Sequence, residues 1–570
     1  MDNQRLLLFI ALSFVVLLMW DAWNAKNQPV IITANNPVSD VAITPESSSV
    51  AITPTENTAE SIPSDTPDTP TAVAESVADK PAANVQSALT SNKRIHVETD
   101  VFDIDIDVVG GDLRRAFLKN YPIDVHEPEN PYPLMDDALP QLFIAQTGLL
   151  SKTPSPDHHA IFSSEQTEVI LKEGQAESKV FLNWVGEDGL KVTKIYTFKR
   201  DSYLIHIDHV IENNTANDWD GRLYRQFQRN EYDEPGKSRL LYTFTGGAVS
   251  TPEEPYEKID LKEMETWKPT QSYFSGGWVA MLQHYFVSAW VPKPGEVNHF
   301  YTRSINNTRY ILGLTSAEFT VPAGSSYTFS TDLYVGPKIQ DRLEKISENL
   351  KLTVDYGFLT IIAQPLFWVL EWLHSKLGNW GFAIVILTLL IKIVFYKLSA
   401  ASYRSMANMR KLAPKFQAIR DRYGEDRQKM SAATMELYKK EKVNPLSGCW
   451  PMLVQIPVFI SLYWMLLESV EIRQAPFILW IDDLSAKDPF YILPLLMGIS
   501  MYVQQKLSHN PSLDPMHQKI MNFMPIIFTL FFMLFPSGLV LYWVVNNLLS
   551  IAQQWYITKQ VEKATNAKPS

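Results

Sequence analysis

Pro235-Gly236-Lys237-Ser238 ends as a phosphate-binding loop ends, with a lysine and a hydroxyl after glycine. The position that needs the first glycine is Glu231, so no cradle of backbone amides forms and nucleotide hydrolysis is not expected. Asp103, Asp105 and Asp107 repeat the opening carboxylates of a calcium loop, but Val108 replaces its glycine and Arg114 its closing glutamate. His158-His159, and His206 with His209, lack a thiolate or a spaced third ligand, and read as satisfied or surface histidines. The single cysteine, Cys449, excludes an intrachain disulfide, a thiol pair and a Cys-rich zinc site. No G-x-S-x-G elbow occurs. The expectation is therefore no enzyme, no metal and no cofactor.

The informative residue is Lys392, a cation inside the otherwise apolar NWGFAIVILTLLIKIVFYKL. An ionisable group in such a helix is expensive and by default functional. Thr388 lies one turn away on the same face, so the two could line a polar groove between helices. Lys392 also stands five residues before Lys397, about 7.5 Å along a helix, and its stem could instead snorkel to the surface. Helix position leaves these two readings level. Polar residues in other apolar stretches tip the balance: Gln455 beside Pro457, and Asn546, Asn547, Gln553 and Gln554. Polar side chains in lipid seek one another or water, although helix-to-helix packing explains each one singly.

These residues sit in a chain of 570 residues whose polar and apolar residues are segregated. Leu6 to Trp23 are apolar apart from Ser13 and Asp21, and Trp20 or Trp23 would occupy the third-last position of any cleavage site. Residues 1–23 therefore read as a retained anchor rather than a cleaved signal. Residues 24–92 are rich in Thr, Ser, Pro and Ala, with eight acidic residues against two basic, a net −6. They form an acidic, disordered linker that cannot bury a core. From 93 to 337 the period becomes two: Phe102, Ile104, Ile106 and Val108 alternate with Asp103, Asp105 and Asp107 in a half-buried strand. Similar runs separated by Gly, Pro, Asn and Asp predict a large antiparallel β-sandwich. Residues 338–379 contain a connecting helix, spaced by Ile339, Leu343, Ile346 and Leu350, and then an interfacial amphipathic helix.

Beyond, apolar runs predict spans at about 380–397, 449–470, 489–507, 519–535 and 538–557. Phe535-Pro536-Ser537-Gly538 leaves room only for a tight turn. Between Lys397 and Pro445, twelve basic residues oppose five acidic ones, a net +7. Positive-inside logic puts that stretch and the short basic tail at 558–570 in the cytoplasm. Six spans then place both termini inside and the β domain outside, in the periplasm of a bacterial inner membrane. Tyr403, Met406, Met409, Leu412, Phe416 and Ile419, followed after Gly424 by Met430, Met435, Leu437 and Tyr438, predict a cytoplasmic helical hairpin over 399–445. The whole reads as a polytopic α-helical membrane protein, five core helices plus an anchor, carrying a periplasmic β-sandwich.

NWGFAIVILT, EKVNPLSGCWPMLVQIPVFISLYWML, EIRQAPFILWIDDLSAKDP, YILPLLMG, DPMHQKIMNFMPIIFTLFF and FPSGLVLYWVVNN, in this order, resemble the YidC/Oxa/Alb family of membrane protein insertases in its long Gram-negative form. The resemblance covers essentially the whole chain. It implies a groove open to cytoplasm and lipid and closed to the periplasm, with one basic residue inside. Lys392 holds that position where the family usually has Arg, and Lys397 stands where Pro is usual. Lysine is a compact, strongly hydrated charge rather than a fork of five donors. Carried over by position, Thr388 and Trp543 contact the passing substrate, Gln455 and Asn547 help line the groove, and Phe459, Met497 and Phe531 form an apolar slide. The resemblance further implies that Arg410, Lys411, Lys415, Arg420 and Arg422 in the hairpin receive the substrate or ribosome. The partners implied are nascent membrane proteins, ribosomes, Sec translocon components and lipids, with no specific nucleic-acid sequence. A secondary transporter or ion pathway on the same helices is the rival reading, with Glu468 as its one candidate carboxylate. A second rival makes the β domain an anchored carbohydrate-processing enzyme, since the resemblance includes a mutarotase-like sandwich.

Overall fold

A computed structural model describes residues 89, 91–232, 243–271, 273–424, 426–441, 450–507 and 515–566. The anchor at 1–23, nearly all of the linker, Pro235–Ser238, Cys449 and Lys568 lie outside the described residues. The chain divides into two compact units, one of them including Asn408–Pro445 and the other holding the β domain and the remaining helices.

The β domain is built from an eleven-stranded and an eight-stranded sheet. Pairing is antiparallel between the named strands except where His96–Glu98 runs parallel to Glu168–Ile170. In the strand Phe102–Asp107 the expected alternation holds for Phe102, Ile104 and Ile106, which are buried, with Asp103 and Asp105 half-buried. Asp107 departs from it. Its carboxylate is fully buried and accepts from the backbone of Val109 at 2.9 Å, so it shapes the turn instead of facing water. Lys194 is also fully buried, and its ammonium donates to the carbonyls of Gly110, Gly111 and Thr147 at 2.7, 3.2 and 2.7 Å. These bonds satisfy a charge that would otherwise be very costly inside a sheet sandwich.

The histidines divide. His158 is hydrogen-bonded to the Tyr224 hydroxyl at 2.8 Å and His206 contacts Asp332 at 2.6 Å. His209 does not fit the expectation: it is 1% exposed and neither ring nitrogen has a hydrogen-bond partner. It sits opposite Lys194 across the strand pair, and burial, then Lys194 and Arg225, hold its pKa well below the usual histidine value.

The outermost strand of the eight-stranded sheet, Glu177–Val185, has its open edge sealed by side chain and loop. Gln166 accepts from the Phe181 amide at 2.8 Å and donates to the Lys179 carbonyl at 3.0 Å. Ser163 and Asn183 exchange backbone bonds beside it, each at 2.8 Å.

Helix α1 (Gln340–Ile346) leaves the sandwich, and α2 (Thr360–Leu377) follows. α2 buries Ala363, Phe367, Leu370 and Leu373 while exposing Ile361, Trp368 and Trp372, so apolar residues lie on both faces. Gly378, in the left-handed region at φ 67°, ends it. His374 stacks on Trp380 at 3.9 Å, joining α2 to α3 (Trp380–Val394). At Gly381 the Phe477 ring occupies the space a β-carbon would need.

The sequence predicts a span at about 380–397, but α3 stops at Val394. Phe395 leaves helical geometry at ψ 8°, and α4 (Tyr396–Lys411) departs at 67°. Among the described residues no single helix is long and apolar enough to cross a membrane, and the bent pair α3–α4 reaches that length only together. Fifteen residues of α3 rise about 22 Å, less than a hydrocarbon core of about 30 Å.

In the unit containing 408–445, α5 (Ala413–Tyr423) and α6 (Arg427–Lys440) form a hairpin around the rings of Phe416 and Tyr438, 5.4 Å apart. Its first arm is interrupted at Leu412, a break absent from the periodicity reading. Pro414, in the first turn of α5, supplies the reason, because proline starts a helix well and interrupts one badly. Asp426 caps α6 through the amides of Gln428 and Lys429.

The remaining helices are α7 (Trp450–Glu468), α8 (Ile492–Leu507), α9 (Pro515–Phe532) and α10 (Ser537–Asn566). The turn from α9 to α10 is tight and also anchored: the amides of Ser537 and Gly538 donate to Ala486 and Leu484 at 2.7 and 2.8 Å.

Candidate functional site

Lys392 is 8% exposed, and its ammonium donates to the Ser550 hydroxyl on α10 at 2.8 Å. It is thus turned into the helices rather than stretched towards Lys397. Ser550 in turn donates to the carbonyl of Asn546, one turn back, at 2.7 Å. The Asn546 side-chain oxygen accepts from Gln455 of α7 at 3.0 Å. The polar chain Lys392–Ser550–Asn546–Gln455 therefore links α3, α10 and α7. Asn547, the next residue of α10, points elsewhere: its amide donates to the Ser500 hydroxyl of α8 at 3.1 Å.

Thr388 is buried and its hydroxyl is returned to its own helix, donating to the Ile384 carbonyl at 2.7 Å. This is the usual mid-helix solution for a hydroxyl in apolar surroundings. Further along α10, Gln554 donates to the Leu507 carbonyl at 2.9 Å and Gln553 to that of Tyr396 at 3.3 Å. Gln455, Asn546, Asn547, Gln553 and Gln554 thus all have protein partners. Sequence reasoning missed Ser550. Its only signal was an i+4 offset from Asn546 on a helix already marked as polar.

The apolar residues do not form one surface. The half-buried Phe459 and Trp543 meet edge to face at 4.1 Å, and Trp543 lies 4.9 Å from Phe532. Phe531 contacts Phe532 but is itself 54% exposed. Met497, expected on an exposed apolar surface, is instead fully buried on the face of α8 that carries Ser500.

In the separate hairpin unit, Lys415 pairs with Glu441 at 2.5 Å and the Arg422 guanidinium lies 5.4 Å from the Tyr423 ring centroid. Lys411 and Lys415 are exposed and Arg410 and Arg420 half-buried, and Arg410, Lys411 and Arg420 all have partners of their own.

Residues 94–369 match the model of the YidC periplasmic domain, and residues 372–564 match that of the 60Kd inner membrane protein. The chain belongs to the YidC family. A membrane protein insertase YidC from Nitrosococcus oceani is 50% identical over 568 residues, 99% of this chain and 100% of that protein. One from Pseudomonas putida is 47% identical over 573 residues, 99% of both chains. A solved structure of an active YidC insertase with its first transmembrane domain resolved has a TM-score of 0.40 and 19% identity, covering 82% of this chain and 93% of that one. This YidC-family chain is therefore a bacterial inner-membrane insertase and not an enzyme, with its β-sandwich as the periplasmic domain.

Proposed function

We propose that the polar chain from Lys392 to Gln455 is the wall of a hydrated groove, open to cytoplasm and lipid, through which nascent inner-membrane proteins are inserted and helped to fold, alone or with the Sec translocon. The observation that carries this reading is the ammonium of Lys392, buried against Ser550 in a helix that is otherwise apolar. A charge at a bilayer centre costs about 2.5 to 3.5 kcal/mol. A fixed cation with polar neighbours offsets part of that cost for a substrate's short, often acidic, N-terminal tail. The hydrophobic segment then leaves along Phe459, Trp543 and Phe531, driven by its own transfer into lipid. No nucleotide enters the step.

In this reading the helical region is multi-pass, both termini are cytoplasmic, and the hairpin's Arg410, Lys411, Lys415, Arg420 and Arg422 meet the substrate or ribosome. Site-specific photocrosslinking tests it. Probes at Trp543, Phe459 and Phe531 should all crosslink a stalled, ribosome-bound chain with one hydrophobic segment, and should stop doing so when that segment is made polar. Probes that stay silent in correctly folded protein would remove the groove from this position.

A further inference from the structure

Between the β domain and the segment joining α7 to α8 lies a cavity of about 420 Å³. Arg473 lines it, with its guanidinium 5.8 Å from the Tyr132 ring centroid and 5.6 Å from that of Phe286. One terminal nitrogen donates to the Pro122 carbonyl at 2.6 Å, while the other, Nη1, is buried without a hydrogen-bond partner. A buried, unanswered donor on a cation calls for an acceptor.

The mouth carries both signs of charge: Asp124, Asp482 and Lys487 line the cavity and are exposed. Asp483 is half-buried, and one of its oxygens accepts within its own loop from Gln474 and Ser485. A simple anion would meet the exposed carboxylates of Asp482 and Asp124, the latter with one oxygen accepting from the His126 amide at 2.9 Å, and a simple cation would meet Arg473 and Lys487. A zwitterion satisfies both. Leu479 and Phe490, next in sequence to the lining residues Trp480 and Pro489, are 81% and 67% exposed.

We propose that this cavity takes the phosphoethanolamine headgroup of a membrane lipid. Its phosphate accepts from Arg473, its ammonium is held by Asp124 and Asp482, and its acyl chains leave along Leu479 and Phe490. The assignment rests on the reading of α8 as a membrane helix.

The full-length protein in detergent would be titrated with lipids of equal chains bearing phosphoethanolamine, phosphocholine or phosphoglycerol heads, and retained lipid counted by native mass spectrometry. The first should be retained about fivefold over the others, the scale of an exposed ion pair. Trimethylation removes the ammonium's donors, and glycerol its charge. Asp124→Asn with Asp482→Asn, both exposed positions, should abolish the preference while leaving the protein folded. Equal retention of the three heads, or a preference that survives the double substitution, overturns the proposal. Soluble phosphoethanolamine should compete, but more weakly than the lipid; equal potency would overturn the lipid as occupant. Insertion crosslinks are read separately on the same protein, so their loss with headgroup preference intact strikes only the groove reading.

Discussion

The ammonium of Lys392 and the hydroxyl of Ser550 meet at 2.8 Å although 158 residues separate them. If the charge is what matters, Lys392→Arg should keep insertion of a single-span substrate into proteoliposomes, and Lys392→Ala should lower it by tenfold or more, given about 2.5 to 3.5 kcal/mol per buried charge. Ser550→Ala, which removes one acceptor and leaves the cation, should fall between them. Equal activity of the arginine and alanine variants would end the electrostatic account.

Gln455 reaches the same cluster through Asn546. Gln455→Leu keeps the side-chain volume and removes the amide, so it should impair substrates with acidic tails by several-fold and spare those with uncharged tails. Insertion of two substrates differing only in the tail measures this. An equal loss for both would make Gln455 mere packing.

The periplasmic domain carries a proton-linked weakness. Burial, reinforced by the neighbouring His159, pushes His158 down to about 4. Between pH 6.5 and 4 the unfolded chain binds a proton that the folded domain refuses, so this histidine's contribution to stability is lost as pH falls through that window, by about 1.4 kcal/mol per pH unit. His158→Gln can still bond Tyr224 and should flatten the acid side of the stability curve by one proton. Urea unfolding of both proteins at pH 7 and pH 5 decides it, and parallel curves would refute the linkage.

The hairpin should act through long-range charge. Replacing Lys411, Lys415 and Arg422 by glutamate should reduce cosedimentation with ribosome–nascent-chain complexes at low salt, and the difference should shrink as salt rises. Phe416 and Tyr438, which hold α5 to α6, are untouched in that variant. A deficit of the same size at high salt would point instead to lost shape.

Strand periodicity and the isolated cation were legible because each contrasts with its own neighbours: Ile104 and Ile106 against aspartates, Lys392 against leucines and isoleucines. What escaped depended on partners distant in sequence. Asp107 looks like one more outward carboxylate until the Val109 amide claims it. His209 is buried by the strands around it, and Met497 by its orientation on α8. Neither fact leaves a mark on the local pattern. The break at Leu412 was within reach, since Pro414 carries a backbone rule, but the apolar stripe ran through it and hid it.

Gln166 has a consequence for how this domain shares its surroundings. An open strand edge is a template for any extended chain. With the Phe181 amide and Lys179 carbonyl already engaged by one glutamine side chain, that stretch of Glu177–Val185 offers a passing loop nothing to copy. The half-buried Gln166 thus closes these two edge positions without being part of the sandwich core.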